Sequence, residues 1–115
     1  MNFEDKLYNA HKEAATAGIW EANYSPPIYR LARLSGFKAR PPHYNSFLVN
    51  LLVTSLWFGS AWGIFMWLAI WRTQGTTFLG AATVCIVVGV FFGLIMAAYY
   101  TYSGKKKGLS RWEDV

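Results

Sequence analysis

The chain has 115 residues, enough for one folded unit, and 54% of them are hydrophobic while only 15% are charged. A typical soluble domain carries about 25% charged residues, so this composition argues against an ordinary water-exposed protein. The net charge of +5 indicates attraction to an anionic membrane face more than to nucleic acid, and the single cysteine, Cys85, excludes an intrachain disulfide.

The first predicted element is a short amphipathic helix over residues 2–17. Asn2 can cap its first turn, and Gly18 is a residue type at which helices commonly end. Its apolar stripe is weak because three of the five members are alanines, so we expect the helix to pack against neighbouring protein and not to enter lipid alone. The stripe consists of Phe3, Leu7, Ala10, Ala14 and Ala17.

A second short helix is predicted over residues 26–35, with Ser25 as its cap and Gly36 as its end. Basic residues lie in and after it, and we expect them to contact lipid headgroups or a partner. The alternative is a solvated basic face, and nucleic-acid binding is disfavoured because no recognised module is present. These residues are Arg30, Arg33, Lys38 and Arg40.

Two apolar runs without any charge follow, over residues 47–71 and 78–102. A helix of 25 residues is about 37 Å long, against a hydrocarbon core of about 30 Å. The six residues between the runs, 72–77, are too few for a domain. The pattern therefore predicts a transmembrane helical hairpin with residues 72–77 as its outer loop.

The distribution of Lys and Arg around the two runs predicts their orientation. Eight basic residues flank the runs on the side of the chain ends, and the connecting loop has Arg72 alone. Basic residues are enriched on the cytoplasmic side of membrane helices, so both termini are expected in the cytoplasm. The flanking residues after the second run are Lys105, Lys106, Lys107 and Arg111, and the three lysines are further candidates for headgroup or partner contact.

Small residues recur every fourth position in both runs, as is typical of closely packed membrane helices. The rows meet when the chain folds back near Gly75, which favours packing within the hairpin, with contact to another copy or a partner subunit as the alternative. The large side chains are expected to face lipid for the most part. The small residues are Ser55, Gly59 and Gly63 in the first run, and Ala81, Cys85, Gly89, Gly93 and Ala97 in the second.

The residue types that carry chemistry are missing from both runs. Neither contains an Asp, Glu, Lys, Arg or His residue, which disfavours ion transport and the binding of haem or chlorophyll. His11 and His43 lack the spacing of metal ligands, and no catalytic set is recognisable. We therefore predict no enzyme activity, no metal site and no cofactor. Whether a pigment, quinone or lipid is held at an interface stays open.

Several short motifs resemble a family of small bacterial membrane proteins classed as a domain of unknown function. The resemblance covers about the first two-thirds of the chain and implies a bacterial inner-membrane setting, but no activity or ligand. The motifs are Phe3-Glu-Asp-Lys-Leu7, Gly18-Ile-Trp20, Tyr24-Ser-Pro-Pro-Ile-Tyr-Arg30, Arg40-Pro-Pro-His-Tyr44 and Gly59-Ser-Ala-Trp-Gly63.

The sequence thus predicts an all-α membrane protein, a two-helix transmembrane hairpin preceded by one or two short amphipathic helices. Residues 1–45 are expected to form a cytoplasmic or interfacial amphipathic region and residues 46–102 the hairpin. Residues 103–115 are expected to form a basic cytoplasmic tail that is mobile from Ser103 onward.

The expected function is that of a non-enzymatic structural or accessory membrane protein. It would contact the anionic lipids of the inner leaflet and either associate with itself or dock on a larger membrane complex. The main alternative is a holin-like pore former with two spans. A subunit of a small multidrug-type carrier and a membrane-tethered adaptor for nucleic acid are weaker alternatives, the first because it lacks an intramembrane carboxylate.

Overall fold

The computed structural model describes residues 2–115, and all its regular elements are helical. Three short helices come first and two long helices follow. Single turns of 3₁₀-helix occur at Pro42–Tyr44 and Trp112–Asp114. The helices are α1 (Phe3–Thr16), α2 (Glu21–Tyr24), α3 (Pro27–Leu34), α4 (Phe47–Met66) and α5 (Phe78–Lys106). The predicted all-α class with a hairpin of two long apolar helices is confirmed.

Helix α1 begins and ends within one residue of the prediction. The Asn2 side chain accepts a hydrogen bond from the Asp5 backbone N–H at 2.8 Å, which satisfies one of the free donors of the first turn. At the other end Gly18 has a φ of +87°, a left-handed conformation that favours glycine. The chain therefore leaves the helix where its sequence indicated.

Helix α3 has the predicted extent but not the predicted cap. Pro26 occupies the cap position in extended conformation, and it has no side chain that could bond to the helix. The Ser25 hydroxyl instead accepts a hydrogen bond from the Arg33 guanidinium at 3.2 Å. The expectation that Ser25 caps this helix is wrong because the serine is engaged by a basic residue two turns along the chain.

The two long helices depart from the predicted ends of the apolar runs. After Met66 the first continues as a π-helical segment, Trp67–Trp71, in which the Arg72 N–H bonds to the Trp67 carbonyl five residues back, at 3.1 Å. Gly75, with a φ of +72°, lies in the connecting turn. Helix α5 extends to Lys106, four residues beyond the apolar run, because lysines in a last turn are favoured by the helix dipole.

The chain divides into two compact units. We call residues 47–99 the hairpin unit, and the segments 2–46 and 100–115 together the terminal unit. The terminal unit has its own small core of Ala10, Tyr44, Trp112 and Val115, with Phe3 and Leu109 packed against it. The predicted mobile tail is therefore wrong, because residues 109–115 supply half of an apolar core that the N-terminal region cannot complete by itself.

Candidate functional site

In the hairpin unit the backbones of α4 and α5 approach each other closely, and we call this contact the seam. A methyl group added at Gly89 would lie 2.9 Å from the Ser55 carbonyl oxygen and 3.2 Å from the Cα atom of Gly59. A methyl group at Gly59 would lie 3.2 Å from the Cys85 carbonyl oxygen. Only glycine leaves room for this contact, so the two helices meet where the two rows of small residues cross.

The other small residues continue the same seam. Gly63 lies against the Cys85 side chain, and Gly93 lies against Ser55 and the Leu51 carbonyl. Ala81 and Ala97 are buried on the same helix as Gly93. The structure thus brings the two predicted rows of small residues together within one chain. This is the arrangement expected if the rows serve packing inside the hairpin.

Aromatic side chains pair within the hairpin unit, and Phe58, Trp62 and Phe92 are among the large residues expected to face lipid. The rings of Phe58 and Phe92 lie 4.1 Å apart at 20° to each other, and Trp62 meets Trp71 edge to face at 5.5 Å. Phe58 and Phe92 belong to different helices, whereas Trp62 and Trp71 belong to separate turns of the first apolar run. No periodicity in the sequence distinguishes them from their lipid-facing neighbours.

The hairpin unit also carries an apolar groove of about 720 Å³. It extends along one face of both helices, from Ser55 to Trp71 and from Phe78 to Val90, and none of its lining residues is charged. Large apolar side chains project from the remaining outer surface, among them Leu48, Phe65 and Phe91. Such a surface fits lipid chains or an apolar partner and is costly to expose to water.

The terminal unit is held together by hydrogen bonds to one carboxylate. Glu13 accepts from the Tyr44 hydroxyl at 2.7 Å, from the Ser110 N–H at 2.8 Å and from the Ser110 hydroxyl at 2.6 Å. Burial raises the pKa of Glu13, but the bonds from Ser110 and Tyr44 outweigh it and hold that pKa below its ordinary value. Glu13 therefore joins α1, the loop before α4 and the tail while it is ionised.

Trp112 is the apolar counterpart of this network. Its ring packs against Phe3 at 5.6 Å and against Tyr44 at 6.1 Å. The Lys6 ammonium donates a hydrogen bond to the Trp112 carbonyl at 3.0 Å, and the Arg40 guanidinium lies 5.5 Å from the ring centroid. Cations over an indole face are attracted by its quadrupole, so this tail residue draws in two basic side chains.

Two of the basic residues predicted to contact headgroups have contacts inside the terminal unit. Arg33 donates to the Ala39 carbonyl at 3.1 Å as well as to Ser25, and Arg40, although exposed, lies over the Trp112 ring. Arg30 and Lys38 are exposed. Lys105, Lys106 and Lys107 are exposed too, with Lys106 5.8 Å from the Tyr102 ring centroid. The exposed set keeps its charge available to a partner.

The two histidines are half-buried in the terminal unit. Burial lowers the pKa of His43 to about 4, and its ring meets Tyr100 edge to face at 5.3 Å. Burial and the nearby Arg33 lower the pKa of His11, although Glu21 acts in the opposite direction. Among residues 2–115 no group of three His, Cys, Asp or Glu side chains could hold a metal ion.

Comparison with known proteins yields a single family. A family model described as a family of unknown function (DUF6404) matches residues 1–115, which extends the predicted resemblance from two-thirds of the chain to its full length. No curated protein and no solved structure matches the chain.

Proposed function

The chain belongs to this family of unknown function, and we propose that it acts as a non-enzymatic structural or accessory protein of a membrane complex. The proposed setting is the bacterial inner membrane, with the hairpin unit spanning it and the terminal unit in the cytoplasm. The proposed molecular role is to associate with further copies or to dock on larger membrane subunits.

The membrane setting is supported by the apolar surface of the hairpin unit. Phe47–Trp71 and Phe78–Lys106 are long and apolar enough to cross a membrane, and little of their surface is buried inside the protein. The core helix of a soluble protein would pass the same length test, but it would be mostly covered by other protein. This exposure is the observation that carries the proposal.

The orientation is supported by the fold of the terminal unit. The tail packs on α1 through Glu13 and Ser110, which supports a location of both chain ends on the same side of the membrane. Two spans are consistent with that location. The excess of Lys and Arg near the chain ends then favours the cytoplasmic side for both.

An accessory role is supported by what remains uncovered on the hairpin unit. Its small residues are used within the chain, while the groove and the large outward side chains are available to other apolar surfaces. A rigid hairpin that offers such a face can fill a gap between larger membrane helices. It can equally bind a second copy, which is the other form of the proposal.

The experiment is purification of the tagged protein in mild detergent, followed by native mass spectrometry. Multiples of 13.0 kDa indicate self-association, and the same heterologous chains in repeated preparations indicate a larger complex. A monomer in every mild detergent would contradict both forms. Rapid loss of membrane potential on induction would favour the holin-like alternative instead.

Two matched variants test whether partners use the groove. Leu56 lines the groove, and Leu48 is similarly exposed on the same helix without lining it. We expect Leu56→Trp to lower recovery of the associated chains several-fold, and Leu48→Trp to leave it unchanged. Equal effects of the two variants would place the partner contact elsewhere on the hairpin unit.

A further inference from the structure

An apolar edge of the terminal unit is turned toward solvent. Leu31 and Leu34 in α3 are 53% and 86% exposed, and Phe37 just beyond the helix is 71% exposed. The ring of Tyr29, on the same helix, is only 2% exposed. Helix α3 thus packs through a tyrosine and presents its leucines outward, the reverse of what an amphipathic helix does in water. We call Leu31, Leu34 and Phe37 the apolar edge.

The outward direction of the apolar edge is fixed by contacts on the opposite side of α3. Arg33 bonds to Ser25 and to the Ala39 carbonyl, which connects α3 to the chain segments before and after it. Leu31 and Leu34 are three residues apart and so lie on one face. The Phe37 N–H bonds to the Ala32 carbonyl at 3.0 Å after Gly36 ends the helix, which keeps Phe37 beside the last turn.

The chain segment that carries the apolar edge has charges of one sign. Arg30 and Lys38 precede and follow the edge in the sequence and are exposed, and the sequence contains no Asp or Glu between Glu21 and Glu113. An apolar strip flanked only by cations complements a surface of apolar chains beneath anionic headgroups.

We infer that the apolar edge inserts into the anionic lipid leaflet, with Arg30 and Lys38 at the headgroups. The inference rests on the proposed membrane location of the hairpin unit. Phe37 precedes the start of α4 by only ten residues of the chain. Insertion of Leu34 and Phe37 would hold the terminal unit flat against the leaflet.

The test is depth-dependent fluorescence quenching in lipid vesicles. In a Cys85→Ala background, Leu34→Cys carries an environment-sensitive fluorophore, and nitroxide lipids serve as quenchers in vesicles with and without phosphatidylglycerol. Ala15→Cys, exposed on α1, is the matched control outside the edge. Phe91→Cys, exposed in the middle of α5, reports on the hairpin unit by itself.

We expect the label at Leu34→Cys to be quenched at least twofold more than the label at Ala15→Cys, and more strongly when phosphatidylglycerol is present. Quenching at Phe91→Cys without excess quenching at Leu34→Cys would overturn the inference and leave the proposed function standing. No quenching at Phe91→Cys would overturn the membrane location and the inference together. Protection of Leu34→Cys from both lipid nitroxide and aqueous iodide would assign the edge to a protein partner and overturn the inference.

Discussion

Glu13 connects residues that lie almost a hundred positions apart, and its contribution to the fold can be measured. Glu13→Gln removes the charge that strengthens the bonds from Tyr44 and Ser110, and hydrogen bonds to charged groups contribute roughly 1.5–3 kcal/mol each when buried. Because Glu13 is only half-buried, we expect the packing of the tail on α1 to lose about 1–2 kcal/mol of stability. Hydrogen exchange of residues 107–115 should accelerate by about tenfold.

Glu113→Gln is the matched control for this substitution. The Glu113 carboxylate lies 3.7 Å from the Arg111 guanidinium, but both side chains are largely exposed, and exposed ion pairs contribute little. Tail exchange in this variant should match the wild type. If both variants accelerate exchange equally, the net charge of the tail and not the Glu13 network holds it in place.

Half-buried His43 gives the terminal unit a predictable pH dependence. Its pKa is about 4 in the folded protein and near 6.5 in an unfolded chain, so between these values the unfolded state binds more protons. Stability of the unit should therefore fall as pH decreases from 6.5 toward 4. The lowered pKa of Glu13 adds a loss at still lower pH, when its carboxylate becomes protonated.

Tail exchange measured from pH 7 to pH 4, after correction for the intrinsic rate, reports this loss. His43→Gln removes the titration, so the exchange profile of this variant should flatten in that window. A residual slope is expected from His11, whose pKa is also lowered by burial and by Arg33. An unchanged slope in His43→Gln would show that the ring is not the titrating group.

At the scale of the helices, the seam of the hairpin unit depends on glycines, which have no side chain to separate the two backbones. A methyl group at Gly89 would meet backbone atoms of Ser55 and Gly59, which cannot move without separating the helices. Overpacking of this kind costs about 1–3 kcal/mol, more than the gain of up to about 1 kcal/mol from replacing glycine with alanine in a helix. Gly89→Ala should therefore destabilise the hairpin in denaturant titrations followed by circular dichroism.

Gly104→Ala is the same substitution on the same helix without that crowding. A methyl group there would lie 3.5 Å from the His43 carbonyl oxygen, an ordinary contact distance. We expect this variant to be neutral or slightly stabilising because alanine restricts the unfolded chain. If Gly89→Ala is as stable as Gly104→Ala, the two helices are not tightly packed at Gly89.

Much of the helical architecture was predictable because its signals are local. Uncharged runs predicted α4 and α5, the cap at Asn2 predicted the start of α1, and the spacing of glycines indicated the seam. The packing of Trp112 on Phe3 was missed, since contacts between distant segments leave no periodic pattern. The engagement of Arg33 was missed for the same reason: charge alone does not distinguish a lipid contact from an internal hydrogen bond.

For the whole molecule, the packing of tail on α1 has a topological consequence. Two segments that share Glu13 and the core around Trp112 cannot be separated by a lipid bilayer. For a hairpin that spans the membrane, we therefore expect Gln74 in the turn to be accessible from the side opposite to the chain ends. The basic residues near the chain ends predict that the terminal unit is cytoplasmic.

Cysteine accessibility in intact cells can test both parts of that prediction at once. In the Cys85→Ala background, Gln74→Cys should react with a membrane-impermeant maleimide added outside, and Ala15→Cys only after lysis. Both positions are exposed, so a lack of labelling in intact cells reports the membrane and not burial. The reverse pattern would keep the hairpin but invert it. Labelling of both positions in intact cells would contradict a spanning hairpin, because the proposed topology has Gln74 and Ala15 on opposite sides of the membrane.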